Sequence, residues 1–158
     1  MIVLVLARPT PASLGAGLAI AACGEGLRIW AAGHLNKARE VTSSGPYRWF
    51  AHPLYIGSSI MGLGLAVMSA NIVAGGLIAI YLTTTLTAAI RTEEAFLRVK
   101  FGDRYDRYRR GAIDDRRFSL AQAMVNREHR TVMGVAVAVL LLILKATYNV
   151  LFGWTGGP

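Results

Sequence analysis

The sequence predicts an all-α integral membrane protein: a polytopic helical bundle of about four transmembrane helices with one basic amphipathic helix at the membrane interface. Apolar residues make up 54% of the 158 residues and charged residues only 16%, whereas an ordinary soluble domain is about a quarter charged. The mean hydropathy of +0.43 agrees with this composition. The apolar residues also form four runs, each near the roughly 20 residues that a helix needs to cross a bilayer. We expect one membrane domain over residues 1–158.

The predicted elements follow from the order of these runs. The opening run at 2–7 is too short to span and is stopped by Arg8 and two prolines, so it is predicted to be an interfacial or re-entrant stub. The runs long enough to span are 13–34, 53–70, 71–90 and 131–153. Almost no linker separates the second from the third, which predicts an antiparallel hairpin.

The basic residues orient these spans. The loop at 35–52 and the segment at 91–130 together hold fourteen of the seventeen Lys and Arg residues, and such residues accumulate on the cytoplasmic side of a membrane. Both stretches are therefore predicted to be cytosolic, in a multi-pass protein of the cytoplasmic membrane. Basic residues between long apolar runs fit a lipid bilayer better than nucleic acid, so no nucleic-acid partner is expected.

Three further features refine the predicted bundle. Residues 93–110 repeat apolar and aromatic side chains on one face among arginines, which predicts a basic amphipathic helix on the inner membrane surface. A second surface segment is expected at 118–130. Glu25 and Arg28, three residues apart in the first span, are expected to neutralise each other inside the bundle. A single cysteine, Cys23, excludes an internal disulfide and a cysteine metal cluster, and no metal site is predicted.

Polar residues converge at the predicted inner face. The loop at 41–50, the start of the second span at His52, and the end of the third span at Arg91, Glu93 and Glu94 should be neighbours, because the two spans form a hairpin. Each residue alone has a structural explanation. Proline commonly follows a helix N-cap, Glu94 is placed to pair with a basic residue four positions on, and tyrosine and tryptophan populate membrane interfaces.

The order of the motifs is more specific than any one of them. The chain contains Gly-x-Tyr at 45–47, His-Pro-x-Tyr-x-Gly at 52–57, Glu-Glu at 93–94 and Phe-Gly-x-x-Tyr-x-x-Tyr at 101–108. This ordered set resembles the isoprenylcysteine carboxyl methyltransferase family, whose wider group includes the membrane phospholipid methyltransferases. The resemblance covers about residues 24–110.

The resemblance implies transfer of a methyl group from S-adenosylmethionine to an acceptor that enters from the bilayer. It places the cofactor in a cytosol-facing pocket, and the implied cofactor-binding residues are Val41, Tyr47, His52, Pro53, Leu54, Tyr55, Glu93 and Glu94. The choice between Glu93 and Glu94 stays open. Arg91, associated with the substrate, and Glu93 are the implied catalytic residues. The implied acceptor is the carboxylate of a prenylated cysteine or a similar isoprenoid acid.

The residue types suit this chemistry. An acidic side chain can bind the ammonium of the cofactor, His52 can donate to its carboxylate, and Tyr47 or Tyr55 can pack against adenine. A carboxylate acceptor is already ionised and needs no general base, so alignment and the exclusion of water suffice. Arg91 is suited to dock such a carboxylate by a bidentate pair. An amine acceptor would instead have to lose a proton, to a carboxylate or to His52.

The sequence also allows other hypotheses about the function. The acceptor is alternatively a phospholipid amine. A non-catalytic membrane protein is a second alternative, because Ala51 occupies the position where the family usually has arginine and only residues 1–12 precede the first span. A second copy of the chain, in a homo-oligomer, is one way to complete the acceptor tunnel. A third alternative is a basic module at 93–110 that recruits anionic lipid.

Overall fold

The computed structural model describes residues 2–36, 42–102 and 117–152. Over these residues the chain is helical and contains no strand. The α-helices are α1 (Ile2–Leu6), α2 (Pro11–His34), α3 (Pro53–Ser69), α4 (Ile72–Phe101), α5 (Leu120–Val125) and α6 (Glu128–Leu151), with a 3-10 turn at Gly45–Arg48 between α2 and α3. The predicted all-α class is therefore confirmed for the described part of the chain.

The helix starts follow from local sequence. Thr10 and Ser13 form a reciprocal capping box at the start of α2, with Pro11 in the first turn. The side chain of Asn71 accepts a hydrogen bond from the backbone N–H of Ala74 and caps α4. Only Ala70, in the left-handed conformation, and Asn71 separate α3 from α4. A link this short forces the two helices to run antiparallel, as the sequence predicts.

Glycines bring α2 and α3 into close contact. A Cβ atom built on Gly24 would lie 2.6 Å from the carbonyl oxygen of Gly57, and one built on Gly64 would lie 2.6 Å from the carbonyl oxygen of Gly17. Small residues of this kind let helix backbones approach each other where lipid provides little hydrophobic drive. The α2–α3 pair is thus the tightest part of the described bundle, and its α3 member begins directly after His52.

Gly24→Val is expected to destabilise the protein, because its new side chain meets backbone atoms of α3 that cannot move aside. Overpacking of this kind typically costs about 1–3 kcal/mol. Thermal unfolding of the purified chain in detergent measures the effect. Gly26→Val is the matched control, since a Cβ at Gly26 meets nothing within 4 Å on the same helix. Equal melting temperatures for the two variants would contradict this packing.

Two of the described helices, α4 and α6, are long and apolar enough to cross a membrane by length and composition. Helix α3 is apolar but shorter, with 17 residues. Helix α2 has 24 residues and includes Glu25 and Arg28. Many large apolar side chains of α4 and α6 are exposed, including Ile80, Leu140 and Leu144.

The structure does not separate the predicted third span from the amphipathic helix expected after it. Helix α4 runs without interruption from Ile72 to Phe101, so residues 93–101 continue that helix and do not begin a separate interfacial one. The physical reason is that no glycine or proline occurs between Ile90 and Phe101, and the helix ends at Gly102, which has a φ of 44°. The rest of the predicted amphipathic helix, residues 103–110, lies outside the described residues.

The two flanking segments also differ in detail from the sequence expectation. The opening stub forms the short helix α1, and the N–H of Arg8 donates to the carbonyl of Ser69 at the end of α3. The expected surface segment at 118–130 contains α5, and α6 begins at Glu128, three residues before the predicted start of the last span.

Candidate functional site

The site begins with His52, which directly precedes α3. Its Nε2 atom lies 3.2 Å from Oε1 of Glu94, and its Nδ1 atom lies 4.0 Å from Oε2 of Glu93. Both acids belong to α4, so the α3–α4 hairpin brings together residues about forty positions apart in sequence. The imidazole side chain is mostly buried, with 17% of its surface exposed. The structure therefore places His52 next to the acidic pair, as the sequence predicts.

Tyr55 lies one turn further along α3 and joins the same group. Its ring is 5.7 Å from the imidazole of His52, tilted by 44°, and the carboxylate of Glu93 is close enough to interact electrostatically with its hydroxyl. Spacing of three residues places the two side chains on one helix face. We call His52, Tyr55, Glu93 and Glu94 the His52 cluster. Two carboxylates beside one imidazole and one phenol give this cluster a surplus of anionic groups.

A groove leads away from the His52 cluster between α3 and α4. It has a volume of about 530 Å³, with His52 and Tyr55 at one end and Ala66 and Gly75 at the other. The walls between these ends are mostly apolar. A polar cluster at one end of an apolar groove is the arrangement expected for an amphiphilic ligand.

The loop before α3 is positioned by a buried histidine that the sequence analysis missed. His34, the last residue of α2, is 6% exposed, and its Nδ1 atom lies 3.1 Å from Oγ of Ser44. Gly45 has a φ of 58°, and a Cβ there would lie 2.5 Å from a ring atom of His34. Glycine is therefore required twice at this position, for its backbone angle and for space. No motif signals this role of His34 in the sequence.

The segment around α5 completes this anchoring. The N–H of Ser119 donates to the carbonyl of Gly33, and Nδ2 of Asn126 donates to the carbonyls of Ala32 and Leu35, both at 2.8 Å. These carbonyls belong to the end of α2, where helical partners are missing. The end of α2, and with it the start of the loop, is thus held by a segment some ninety residues later.

The remaining site residues predicted from sequence lie in three places. Tyr47 is buried in the 3-10 turn, which packs against α2, and Pro53 is buried in the first turn of α3. The carbonyl of Leu54 accepts a hydrogen bond from Arg28. Arg91 is exposed on α4, and its side chain forms no ion pair with another described residue. Val41 lies outside the described residues.

The His52 cluster is suited to bind a cationic ligand group. The two carboxylates favour an ammonium or a hydroxyl donor, and the tilted rings of His52 and Tyr55 lie beside them. Among residues 2–36, 42–102 and 117–152, no three His, Cys, Asp or Glu side chains are arranged to hold a metal ion.

Comparison with known proteins gives one family match and three relatives. Residues 15–104 match the family model described as phospholipid methyltransferase. Over 75 residues the chain is 36% identical to protein-S-isoprenylcysteine O-methyltransferase of Schizosaccharomyces pombe, which covers 48% of this chain and 32% of that protein. Over 87 residues it is 32% identical to the cobalt-zinc-cadmium resistance protein CzcN of Cupriavidus metallidurans, covering 54% of this chain and 39% of that protein.

A third relative aligns with this chain over a similar length. The chain is 31% identical over 85 residues to the nickel-cobalt-cadmium resistance protein NccN of Alcaligenes xylosoxydans xylosoxydans, covering 52% of this chain and 39% of that protein. The matched region thus spans about a third to two fifths of the length of these relatives. No solved structure matches the chain. The region matched by the family model contains both sides of the His52 cluster, from α3 and from α4.

Proposed function

The chain belongs to the phospholipid methyltransferase family, and from this premise we propose that it transfers a methyl group from S-adenosylmethionine to a lipid-like acceptor at the membrane. The acceptor we propose is the carboxylate of a prenylated cysteine or a similar isoprenoid acid. One observation carries the proposal: the anionic His52 cluster lies at the end of an apolar groove. The similarity to a protein named as an isoprenylcysteine O-methyltransferase supports this choice of acceptor.

The described residues fit the groups of S-adenosylmethionine. Its ammonium suits the carboxylates of Glu93 and Glu94, whose surplus negative charge has no neighbouring Lys or Arg ion pair in the described part of the chain. Its carboxylate suits a donor such as His52, and its adenine suits the rings of Tyr55 and Tyr47. When bound, the cofactor supplies an electrophilic methyl group attached to a sulfonium sulfur.

An acid acceptor requires little proton chemistry from the protein. An ionised carboxylate oxygen forms the new bond to the methyl carbon as the bond from that carbon to sulfur breaks, so no proton is moved. The protein's contribution is then orientation and the exclusion of water. We propose that Arg91, exposed on α4 within one turn of Glu94, docks the acceptor carboxylate, and that the groove between α3 and α4 holds its apolar chain.

We further propose that α2, α3, α4 and α6 all cross the membrane, with the His52 cluster on the cytosolic side. The two long apolar helices and the family already indicate a membrane protein. The antiparallel α3–α4 hairpin supports the finer arrangement, because it places the uncharged Ala70–Asn71 link and the His52 cluster at opposite ends. The concentration of Lys and Arg at 35–52 and 91–130, the stretches of sequence that contain His52, Glu93 and Glu94, supports its cytosolic orientation.

A phospholipid amine is the second candidate acceptor, and one observation favours it. The His52 Nε2 and Glu94 Oε1 atoms lie 3.2 Å apart, so a pair able to accept a proton stands at the site. An ammonium acceptor must lose a proton before its nitrogen can attack. The description of the matching family model is consistent with such an acceptor.

One assay distinguishes the two acceptors. Purified protein is incubated with methyl-labelled S-adenosylmethionine and either a prenylcysteine or phosphatidylethanolamine, and the lipid product is then treated with base. A base-labile label on the prenylcysteine, as in an ester, is the expected result. A base-stable label on phosphatidylethanolamine alone would replace the acid by the amine as acceptor.

A further inference from the structure

Arg28 of α2 is a junction between three helices. Its Nε atom donates to Oε1 of Glu128 on α6 at 2.7 Å, and its Nη2 atom donates to the hydroxyl of Thr131, one turn later on α6, at 3.2 Å. Its Nη1 atom donates to the carbonyl of Leu54 at 3.2 Å and to the hydroxyl of Ser58, both on α3. A single guanidinium group thus connects α2, α3 and α6.

Two carboxylates stand beside this guanidinium, but only one is hydrogen bonded to it. Glu128 is at 2.7 Å, whereas the nearest oxygen of Glu25 is at 3.8 Å from Nε. Both carboxylate oxygens of Glu25 are buried without a hydrogen-bond partner among the described residues. The spacing of three residues in the first span predicts Glu25 as the partner of Arg28. The main partner is instead Glu128, one hundred residues away in sequence.

The Leu54 carbonyl relates this junction to the site. It belongs to the peptide group that links Leu54 to Tyr55, in the first turn of α3, directly after His52 and Pro53. A hydrogen bond to this carbonyl limits the rotation of the turn that carries two members of the His52 cluster. Ser58 reinforces it, since its hydroxyl also donates to the Leu54 carbonyl, at 2.9 Å.

We propose that Arg28 and Glu128 are positioning residues for the cofactor site: Glu128 and Thr131 orient the guanidinium, and the guanidinium orients the turn that carries His52 and Tyr55. This inference rests on the proposed function, in which those two residues contact S-adenosylmethionine. It assigns a role at the site to α6, which lies outside the region matched by the family model.

The position of Glu128 agrees with this role. It is 5% exposed and lies in the first turn of α6, where a carboxylate is favoured by the helix dipole. Glu128 and Thr131 are three residues apart and share a helix face, so the start of α6 determines whether both reach Arg28. Removing Glu128 would take away the carboxylate nearest to the guanidinium, since the nearest oxygen of Glu25 lies 3.8 Å from its Nε atom.

The test compares Glu128→Leu with Glu25→Leu in the full chain reconstituted in lipid nanodiscs. Each variant removes one carboxylate beside the same guanidinium and replaces it with a side chain of similar size. We expect Glu128→Leu to raise the KM for S-adenosylmethionine about tenfold, as loss of a charged hydrogen bond does, with the KM for the prenylcysteine acceptor within about twofold of wild type. Glu25→Leu is expected to leave both values within about twofold.

Two further variants keep the test decisive. Adding Arg28→Leu to Glu128→Leu should raise the cofactor KM no further, because both residues act through one contact. Thr131→Val removes one donor-acceptor pair without changing charge, and we expect a rise of about twofold to fivefold in the same KM. It therefore gives a result even if Glu128→Leu does not fold.

Each outcome decides the inference. An equal rise for Glu25→Leu and Glu128→Leu would mean that burial alone matters and would overturn it, as would an unchanged cofactor KM in Glu128→Leu and Thr131→Val with an active wild type. An inactive wild type that binds no S-adenosylmethionine would overturn the proposed function itself, and the inference with it. The two failures are thus distinguished by the wild-type measurement.

Discussion

Glu94→Gln is expected to weaken S-adenosylmethionine binding at least about tenfold. The variant removes a negative charge that we propose binds the cofactor's ammonium, and it removes the charged partner of His52, which lies 3.2 Å away. Hydrogen bonds to charged groups contribute about 1.5–3 kcal/mol each, so a change of this size requires the loss of only one. Isothermal titration calorimetry with S-adenosylhomocysteine, the demethylated product, measures the affinity without turnover.

Thr92→Ala is the control for this variant. Thr92 belongs to the same turn of α4, but it is exposed and its hydroxyl donates back to the carbonyl of Ala88. Its loss should leave the dissociation constant within about twofold of wild type. Glu93→Gln, which removes the second carboxylate beside His52, is expected to weaken binding as well. Wild-type affinity in both glutamine variants would show that the cofactor binds elsewhere.

Ala79→Phe is expected to raise the KM for a long-chain isoprenoid acceptor about tenfold or more while leaving cofactor affinity unchanged. Ala79 lines the groove between α3 and α4, beyond the His52 cluster, and a phenyl ring there occupies the space proposed for the acceptor chain. Each methylene group added to or removed from an apolar pocket changes the free energy of discrimination between ligands by about 1–3 kcal/mol. Initial rates with acceptors of increasing chain length measure the effect.

Ala88→Phe is the matched control for Ala79→Phe. It makes the same substitution on the same helix, nine residues further on and therefore on the opposite face, at an exposed position outside the groove. The groove assignment predicts that a short-chain acceptor is affected less by Ala79→Phe than a long-chain one. A loss of activity that is equal for both variants and for all chain lengths would place the acceptor outside this groove.

The features that could be predicted from sequence are those that depend on short chain distances. Because only Ala70 and Asn71 separate α3 from α4, the adjacency of His52 to Glu93 and Glu94 followed from two predicted spans. The apolar runs that predict the helices are local as well. The order of four motifs then pointed to the family that the comparison later matched.

What the sequence did not reveal depends on packing between distant segments. The pairing of Arg28 with Glu128 joins residues one hundred positions apart, and a nearer acid in the same helix, Glu25, was the obvious partner. The contact of His34 with Ser44 and Gly45 depends on a loop conformation that no periodicity encodes. The continuation of α4 to Phe101 could have been predicted from sequence, because the first residue after Ile90 that favours the end of a helix is Gly102.

The most direct measurement is the binding of S-adenosylhomocysteine to the purified wild-type chain and to Glu94→Gln, by calorimetry under conditions in which circular dichroism shows both to be helical. A cofactor site at the His52 cluster predicts saturable binding to the wild type, weakened at least about tenfold in the variant. Folded wild-type protein that gives no binding heat at any temperature tested, and no protection against thermal unfolding, would contradict it.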